Sequence, residues 1–309
     1  MDETTVQNPG GRPDGESGQA GPCMPRTERV AGRVFAYHTI DSTNVEARRL
    51  LFDGTLCPGH GSIAVIAADT QSAGRGRLDH TWVSRPGESF AVTFVVSVPR
   101  ALATDGSVNG WLQMIAGLAA IDGLQGAVRQ CDAEPVDAES GCMLKWPNDI
   151  FIGDRKLGGI LSEMAPLQES TQAGSDRIAI IFGIGLNLAI AADRLPTPQA
   201  TSLQLHYAPL PEAEELRDII AAGIAESLSQ RLRRFETDPE TEARALCDET
   251  ERICYTLGRH AVAHFVDGSE MEGEAVALNA DASLDLRTSD GVVHTIRTAD
   301  VGVLPDPCV

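Results

Sequence analysis

The sequence predicts an α+β protein: a mixed α/β domain followed by a small β-barrel, with a polar tail in front. Three observations carry this. From Val34 onward, short apolar runs of strand character alternate with helix-like segments, a pattern that builds a sheet flanked by helices. After Cys254 the pattern changes to short alternating strands separated by the turn sequences Val266-Asp-Gly-Ser269 and Ser289-Asp-Gly291, which favour hairpins. Residues 1–29 are rich in Gly, Pro and charge and too poor in apolar side chains to repay the entropy of ordering. The expected division is therefore a disordered tail over 1–29, a large domain over 30–253 and a small one over 254–309; 309 residues suffice for such cores.

In chain order, the first helix contains Val45, Ala47, Leu50 and Leu51 and ends before Gly54. Thr43 and Glu46 have the spacing of a capping box at its start. Ile63–Ala68, Phe90–Val96 and Ile178–Phe182 are strands on their β-branched and aromatic content. Trp111–Leu124 is a buried helix with an apolar stripe of Trp111, Met114, Ile115, Leu118 and Ile121. Cys131–Gly141 reads as a solvated acidic loop. Gly153-Asp154 suits a tight turn between Ile150–Ile152 and Leu157–Leu161, and Glu212–Phe235 keeps helical spacing from Leu216 to Phe235.

Charge narrows the function. Lys and Arg number 25 against 44 Asp and Glu, a formal charge of −19, which argues against a nucleic-acid backbone as partner because phosphate binding rests on clustered cations. The polar tail lacks the periodic apolar positions that a helix-turn-helix needs. Seven scattered cysteines read as reduced thiols, and neither a secretory pattern nor a membrane-length apolar run occurs. The expectation is a cytoplasmic protein with no membrane attachment. An anionic ligand must then be held by a local positive patch, and Arg75, Arg77, Lys145, Arg155 and Lys156 are the candidates.

Lys145 and Lys156 are the only lysines in the chain, and both lie in the stretch from Met143 to Leu161. An ammonium is a compact, movable point charge, whereas guanidinium is a rigid planar fork. A reacting phosphate or carboxylate is one use for such a charge; an exposed hairpin that happens to hold both lysines is the other reading. Asp149 lies between them in sequence and suits either a lysine partner or a phosphate-bound metal ion. Ser72-Ala-Gly-Arg-Gly-Arg77 has glycines that let backbone approach a ligand and arginines that supply charge, but it is neither a dinucleotide fingerprint nor a Walker loop, and taken alone it reads equally as an exposed loop with no ligand. Ser42 and Thr43 sit at a helix start, where capping and ligand binding are compatible. Asn187 suits either an adenine edge or a turn. The histidines form no metal or triad spacing.

Together, Ser42-Thr-Asn44, Gln71, Ala73-Gly-Arg-Gly-Arg77, Trp82, Lys145-Trp-Pro-Asn-Asp149, Asp154-Arg-Lys-Leu-Gly-Gly-Ile160 and Gly183-Ile-Gly-Leu-Asn187 resemble the biotin protein ligase family, in family order, over roughly residues 33–305. The resemblance implies a class II synthetase-like mixed sheet flanked by helices and a small SH3-like C-terminal domain. It implies a two-step reaction in which ATP activates biotin to biotinyl-5′-AMP and a lysine of a biotin carboxyl carrier domain then takes the acyl group. ATP, biotin and Mg²⁺ are the implied ligands. Lys156, Arg77 and Asp149 become the expected catalytic set. Ser42, Thr43, Asn44, Gln71, Gly74, Arg75, Gly76, Arg77, Trp82, Lys145, Lys156, Gly159 and Asn187 become the expected binding set, with Trp82 and Asn187 on the adenine side and Lys145 and Asp149 toward the phosphates. Where the family commonly carries Gly-Arg shortly before the tryptophan, this chain has Asp79-His80. Many relatives also bear an N-terminal DNA-binding domain; the polar character of residues 1–29 makes a form lacking that domain the expectation here. A lipoate or octanoate ligase or transferase and a non-catalytic biotin-binding regulator are the alternatives. A monomer and a homodimer are both compatible with the sequence.

Overall fold

The computed structural model describes residues 21–77, 80–137, 141–168 and 176–303. In chain order these form α1 (Thr27–Val30), β1 (Arg33–Ile40), α2 (Thr43–Phe52), β2 (Ala64–Gln71), β3 (Ser89–Pro99), α3 (Arg100–Thr104), α4 (Gly110–Gln130) and β4 (Glu134–Pro135). There follow β5 (Cys142–Lys145), β6 (Asp149–Ile152), β7 (Arg155–Pro166), β8 (Arg177–Asn187), β9 (Tyr207–Ala208), α5 (Ala213–Thr237) and α6 (Pro239–Ile253). The chain ends in β10 (His260–His264), β11 (Glu270–Leu278), β12 (Leu284–Arg287), β13 (Val293–Ile296) and β14 (Asp300–Val303).

Seven strands make one mixed sheet in the order β1-β2-β3-β8-β7-β6-β5, parallel only between β1 and β2. Strand side chains alternate between faces. Val65, Ala67, Phe90, Val92, Phe94, Ile180 and Phe182 point to one face and share a core with α4 and α5. Ala64, Ile66, Val95, Ala179 and Ile181 point to the other, where Ala47, Leu50 and Leu51 of α2 cover them. The predicted stripe on α4 is buried, and Ala116, Ala119 and Ala120 are too, because α5 packs across the helix where Gly123 meets Ile224. The five C-terminal strands form a separate antiparallel sheet, ordered β13-β12-β11-β10-β14. Trp111 and Trp146 tie it to the large sheet: their indole N–H groups donate to the carbonyls of Ala280 (2.6 Å) and Ala282 (2.9 Å).

Several expectations change. Met24 and Thr27, assigned to the tail, are buried, and the Thr27 N–H and the Arg26 N–H donate to the Asp218 carboxylate at 2.9 Å each. One buried acid on α5 thus orders a segment whose composition argued against order; residues 1–20 lie outside the described residues. Gly183–Asn187, expected to follow its strand, continues β8 to its end. The Thr43–Glu46 capping box does not form: Glu46 accepts from the Tyr37 hydroxyl at 2.9 Å, and Gln71 Oε1 accepts the Thr43 N–H at 2.8 Å. Part of the acidic loop pairs, as β4 with β9. Helix α6 adds to the elements expected from the sequence, and Asp238-Pro239 is its start signal: the Asp238 carboxylate accepts the Thr241 N–H, with Pro at the first helical position.

Candidate active site

The large sheet's register places small residues side by side. Ala68, Ala91, Gly185 and Gly159 are successive partners across β2, β3, β8 and β7, and the row ends on β6 at Asp149. One row up lie Ile66, Thr93, Gly183 and Leu161. These residues share the face that α2 covers only in part. The result is a nearly side-chain-free floor with functional groups at its margins.

One margin is the start of α2. Ser42, Thr43 and Asn44 are 3%, 4% and 5% exposed, and Asn44 lies flat over β8 because Gly183 gives it room: a Cβ there would stand 2.2 Å from Asn44 Oδ1. Thr43 and Asn44 both meet the Thr93 hydroxyl at 2.7 Å. The opposite margin is cationic. Asp149 Oδ1 pairs with Lys156 Nζ at 2.7 Å and Oδ2 with Lys145 Nζ at 3.5 Å. Lys145 also lies 5.6 Å from the centre of the Phe151 ring, whose face attracts a cation. The only two lysines of the chain therefore converge on one carboxylate. A Cβ on Gly159, beside them, would crowd Asp149 Oδ1 at 3.1 Å and touch Lys156 Nζ at 3.6 Å.

Residues 72–77 and 80–82 form a short flap. Gly76 N–H donates to the His80 carbonyl and Trp82 N–H to the Gly74 carbonyl at 2.7 and 2.9 Å. A Cβ on Gly74 would meet the Trp82 carbonyl at 2.4 Å, so glycine is required there. The flap lays the Trp82 ring on the floor at Gly185, 2.5 Å from where a Cβ would be, with its indole Nε1 buried and without a hydrogen-bond partner. Arg75 is exposed, bridged through its backbone to Thr81. Arg77 turns the other way, donating to Asn148 Oδ1 at 3.0 Å and to the Ala299 carbonyl at 3.1 Å. Burial lowers the pKa of its guanidinium, while Asp300 and Asp149 work in the opposite sense. Arg77 thus lands one residue from Asp149 without touching either lysine, in the wall of a cavity of about 450 Å³ between α4, the Trp146-Pro147-Asn148 turn and the C-terminal sheet. His80 faces Asp300 at 3.8 Å; Asp79 lies outside the described residues.

Gln71 and Asn187 take up bracing positions. Gln71 accepts from Thr43 as above, and its Nε2 lies 3.0 Å from where a Cβ on Gly74 would be. Asn187 is 4% exposed and donates to the Thr201 carbonyl at 2.8 Å, and the Thr201 N–H donates to the Lys156 carbonyl at 2.8 Å. It therefore supports the Lys156 backbone from below. Thr93, Glu163, Ala68 and Ala91 escaped the sequence reading because no local motif marks them; only cross-strand register brings them to the site.

Burial pushes the Cys142 thiol up to about 12, and among the described residues no three His, Cys, Asp or Glu side chains gather as metal ligands.

Residues 38–186 match the model of the biotin/lipoate A/B protein ligase family. The biotin–[acetyl-CoA-carboxylase] ligase of Paracoccus denitrificans is 34% identical over 189 residues, 60% of this chain and 68% of that protein. The bifunctional ligase/repressor BirA of Bacillus spizizenii is 27% identical over 278 residues, 88% of this chain and 74% of its own length. Among solved structures, the biotin protein ligase of Aquifex aeolicus in complex with biotin and ATP superposes with a TM-score of 0.63 at 20% identity, covering 88% of this chain and 99% of that one. Agreement in sequence with the Paracoccus ligase, in a fold shared with the Aquifex one, makes this chain a member of the biotin protein ligase family.

Proposed function

We propose that the protein is a biotin protein ligase, and that the floor bounded by Thr43 and Asn44 at one side and Lys156, Asp149 and Lys145 at the other holds both its substrates. The observation that carries this is the convergence of the chain's only lysines on Asp149 at the end of a side-chain-free strip. In the first step a biotin carboxylate oxygen attacks the α-phosphorus of ATP; the bond to the β-phosphate breaks and pyrophosphate leaves. In the second, the amine of a carrier lysine attacks the acyl carbon, the bond to AMP breaks and the nitrogen releases a proton.

Both steps pass through crowded negative charge, so fixed cations lower the barrier most. Lys156 lies nearest the floor and meets the carboxylate and α-phosphate; Lys145, more deeply held, faces the phosphates. Asp149 acts by holding the two ammonium groups in place. Ser42, Thr43, Asn44 and Gln71 receive biotin's ring end. Trp82, now lying on Gly185, must lift as the adenylate arrives, and its unpartnered N–H then gains access to an acceptor. Gly74, Arg75 and Gly76 move with it, and Arg77 exchanges Asn148 and Ala299 for the acyl-phosphate. Closing the flap excludes water from a hydrolysable intermediate.

A resident metal ion does not fit the donor set, because both Asp149 oxygens face ammonium groups and no three His, Cys, Asp or Glu side chains gather as ligands among the described residues. Mg²⁺ would arrive as the partner of the ATP phosphates. Cytoplasmic ATP and reduced thiols suit the six free cysteines among the described residues, and the acceptor is a carrier domain of a biotin-dependent carboxylase. The test mixes protein, ATP, Mg²⁺ and a carrier domain with biotin or with lipoate and follows carrier mass. Biotinyl transfer is expected. Lipoyl transfer alone would move the enzyme to the lipoate branch, and neither product would make it a non-catalytic binder.

A further inference from the structure

Hydrogen-bond partners at the α2 margin limit where each proton can point. One end of the Asn44 carboxamide faces the Leu161 carbonyl at 3.2 Å and a Glu163 oxygen at 2.8 Å. Both partners only accept, so that end is the NH₂ group and both its hydrogens are spent. The other end, Oδ1, only accepts, and Thr93 Oγ1 is 2.7 Å away; the single hydroxyl hydrogen of Thr93 therefore goes to Asn44. Thr93 Oγ1 has no hydrogen left for Thr43 Oγ1, also 2.7 Å away, and can only accept from it. Gln71 Oε1, 3.1 Å from the Thr43 hydroxyl, is likewise an acceptor because it already takes the Thr43 N–H. Whichever of the two receives it, the Thr43 proton points into the protein, and the hydroxyl offers the cleft lone pairs only.

We propose that Thr93 and Glu163 are positioning residues that fix this polarity. Glu163, itself paired with Arg48, orients Asn44; Asn44 claims the Thr93 proton; and Thr93, together with Gln71 Oε1, leaves the Thr43 hydroxyl facing acceptors alone, so that its lone pairs select a ligand presenting a ring N–H. A cyclic urea presents one and a dithiolane presents none, so the device would separate biotin from lipoate. The inference rests on the biotin ligase reading and adds two residues outside the motifs.

The test is steady-state pyrophosphate release by the whole protein with biotin and ATP varied separately, for the parent, Thr93→Val, Thr93→Ser and Glu163→Gln, with melting temperatures alongside. Thr93→Val removes the nearer of the two Thr43 acceptors and the donor to Asn44 Oδ1, leaving only Gln71 Oε1 at 3.1 Å; it should raise the biotin KM roughly ten-fold, the scale of one misdirected hydrogen bond, while kcat and the ATP KM stay within about two-fold, and Thr93→Ser should restore the parent value. Glu163→Gln, which can donate as well as accept, should raise the biotin KM in the same direction. With the cyclic carbamate analogue of biotin that lacks the N–H facing Thr43, Thr93→Val should cost nothing further. A Thr93→Val biotin KM within about two-fold of the parent would overturn the inference. So would a joint fall of all constants and melting temperature that Thr93→Ser does not repair, since that is the mark of a structural role alone. A parent protein that turns over no biotin would instead defeat the ligase reading, and the inference with it.

Discussion

Replacing Asp149 by Asn keeps the shape of the side chain and removes the charge that two ammonium groups share. Asp149 is 7% exposed. Lys145, 3.5 Å away, has a side chain only 11% exposed, whereas Lys156, 2.7 Å away, is 40% exposed. Breaking a buried pair by removing one partner costs about 3–5 kcal/mol because the surviving charge is left without compensation. Lys156 can turn to water and contributes little of that loss, so the burden falls on Lys145 and a net loss of about 2–4 kcal/mol is expected. At roughly 2 °C per kcal/mol for a chain of this size, the melting temperature should drop about 4–8 °C, read by thermal unfolding in circular dichroism. The cause can be isolated: Lys145→Met in the Asp149→Asn background removes the stranded ammonium and should recover more than half of the loss, a coupling that a double-mutant cycle measures directly. Adenylate formation should fall at least ten-fold in Asp149→Asn, because Lys156 loses its tether, and should not recover in the double variant. A melting temperature within about 1 °C of the parent, or no recovery with Lys145→Met, would refute the reasoning.

Two further outcomes follow from the same geometry. Gly185→Val places a branched side chain where the Trp82 ring now lies, 2.5 Å from the Cβ position; biotin and ATP binding should both weaken more than about ten-fold by calorimetry, and unchanged affinity would mean that the substrates do not use this floor. Cys142, buried, with its thiol pushed up to about 12 from an ordinary 9.0, should resist alkylation near pH 8, while the exposed Cys23 and Cys57 react. Because its folded pKa is raised, the folded state holds the proton more tightly than the unfolded one. Its stabilising contribution is complete below about pH 9 and is lost as pH climbs toward 12; Cys142→Ala should flatten that part of the stability–pH curve, and an unchanged slope would refute the assignment.

What could be read from the sequence, and what could not, divides along local versus non-local information. Strand β3 and helices α4 and α5 were legible because periodicity is local: Phe90–Val96 is β-branched and aromatic throughout, and the α4 stripe repeats at helical spacing. The C-terminal hairpins were legible because Gly268 and Gly291 take φ of 82° and 83° at the turns, a conformation glycine accepts without strain. The Thr43–Glu46 capping box failed because Gln71, 28 residues later, competes for the same N–H. The tail boundary failed because Asp218, on a helix nearly two hundred residues away, captures the backbone of Arg26 and Thr27. The two lysines were legible as a pair by scarcity, but their shared carboxylate and the Ala68-Ala91-Gly185-Gly159 floor exist only in the register of five strands.

That floor also explains why lysine, and not the arginine used for every other fixed cation, stands at position 156. Lys156 Nζ lies 3.6 Å from where a Cβ on Gly159 would be, so the ammonium already rests against backbone and holds Asp149 with a single short contact. A guanidinium is planar and wider, and it forks onto a carboxylate through two parallel bonds. In Lys156→Arg the fork can engage Asp149 only by swinging out over Gly159, across the strip the substrate needs, or by leaving Asp149 for solvent. Either way the charge survives and its placement does not. Lys156→Arg should therefore fold with a melting temperature near the parent's and lose adenylate formation by at least about a hundred-fold, the scale of removing one preorganised charge from a reacting centre. Lys156→Ala should lose a similar amount. If Lys156→Arg kept a near-normal rate, positive charge alone would suffice at that position, and the restriction of lysine to this one segment of the chain would need another cause.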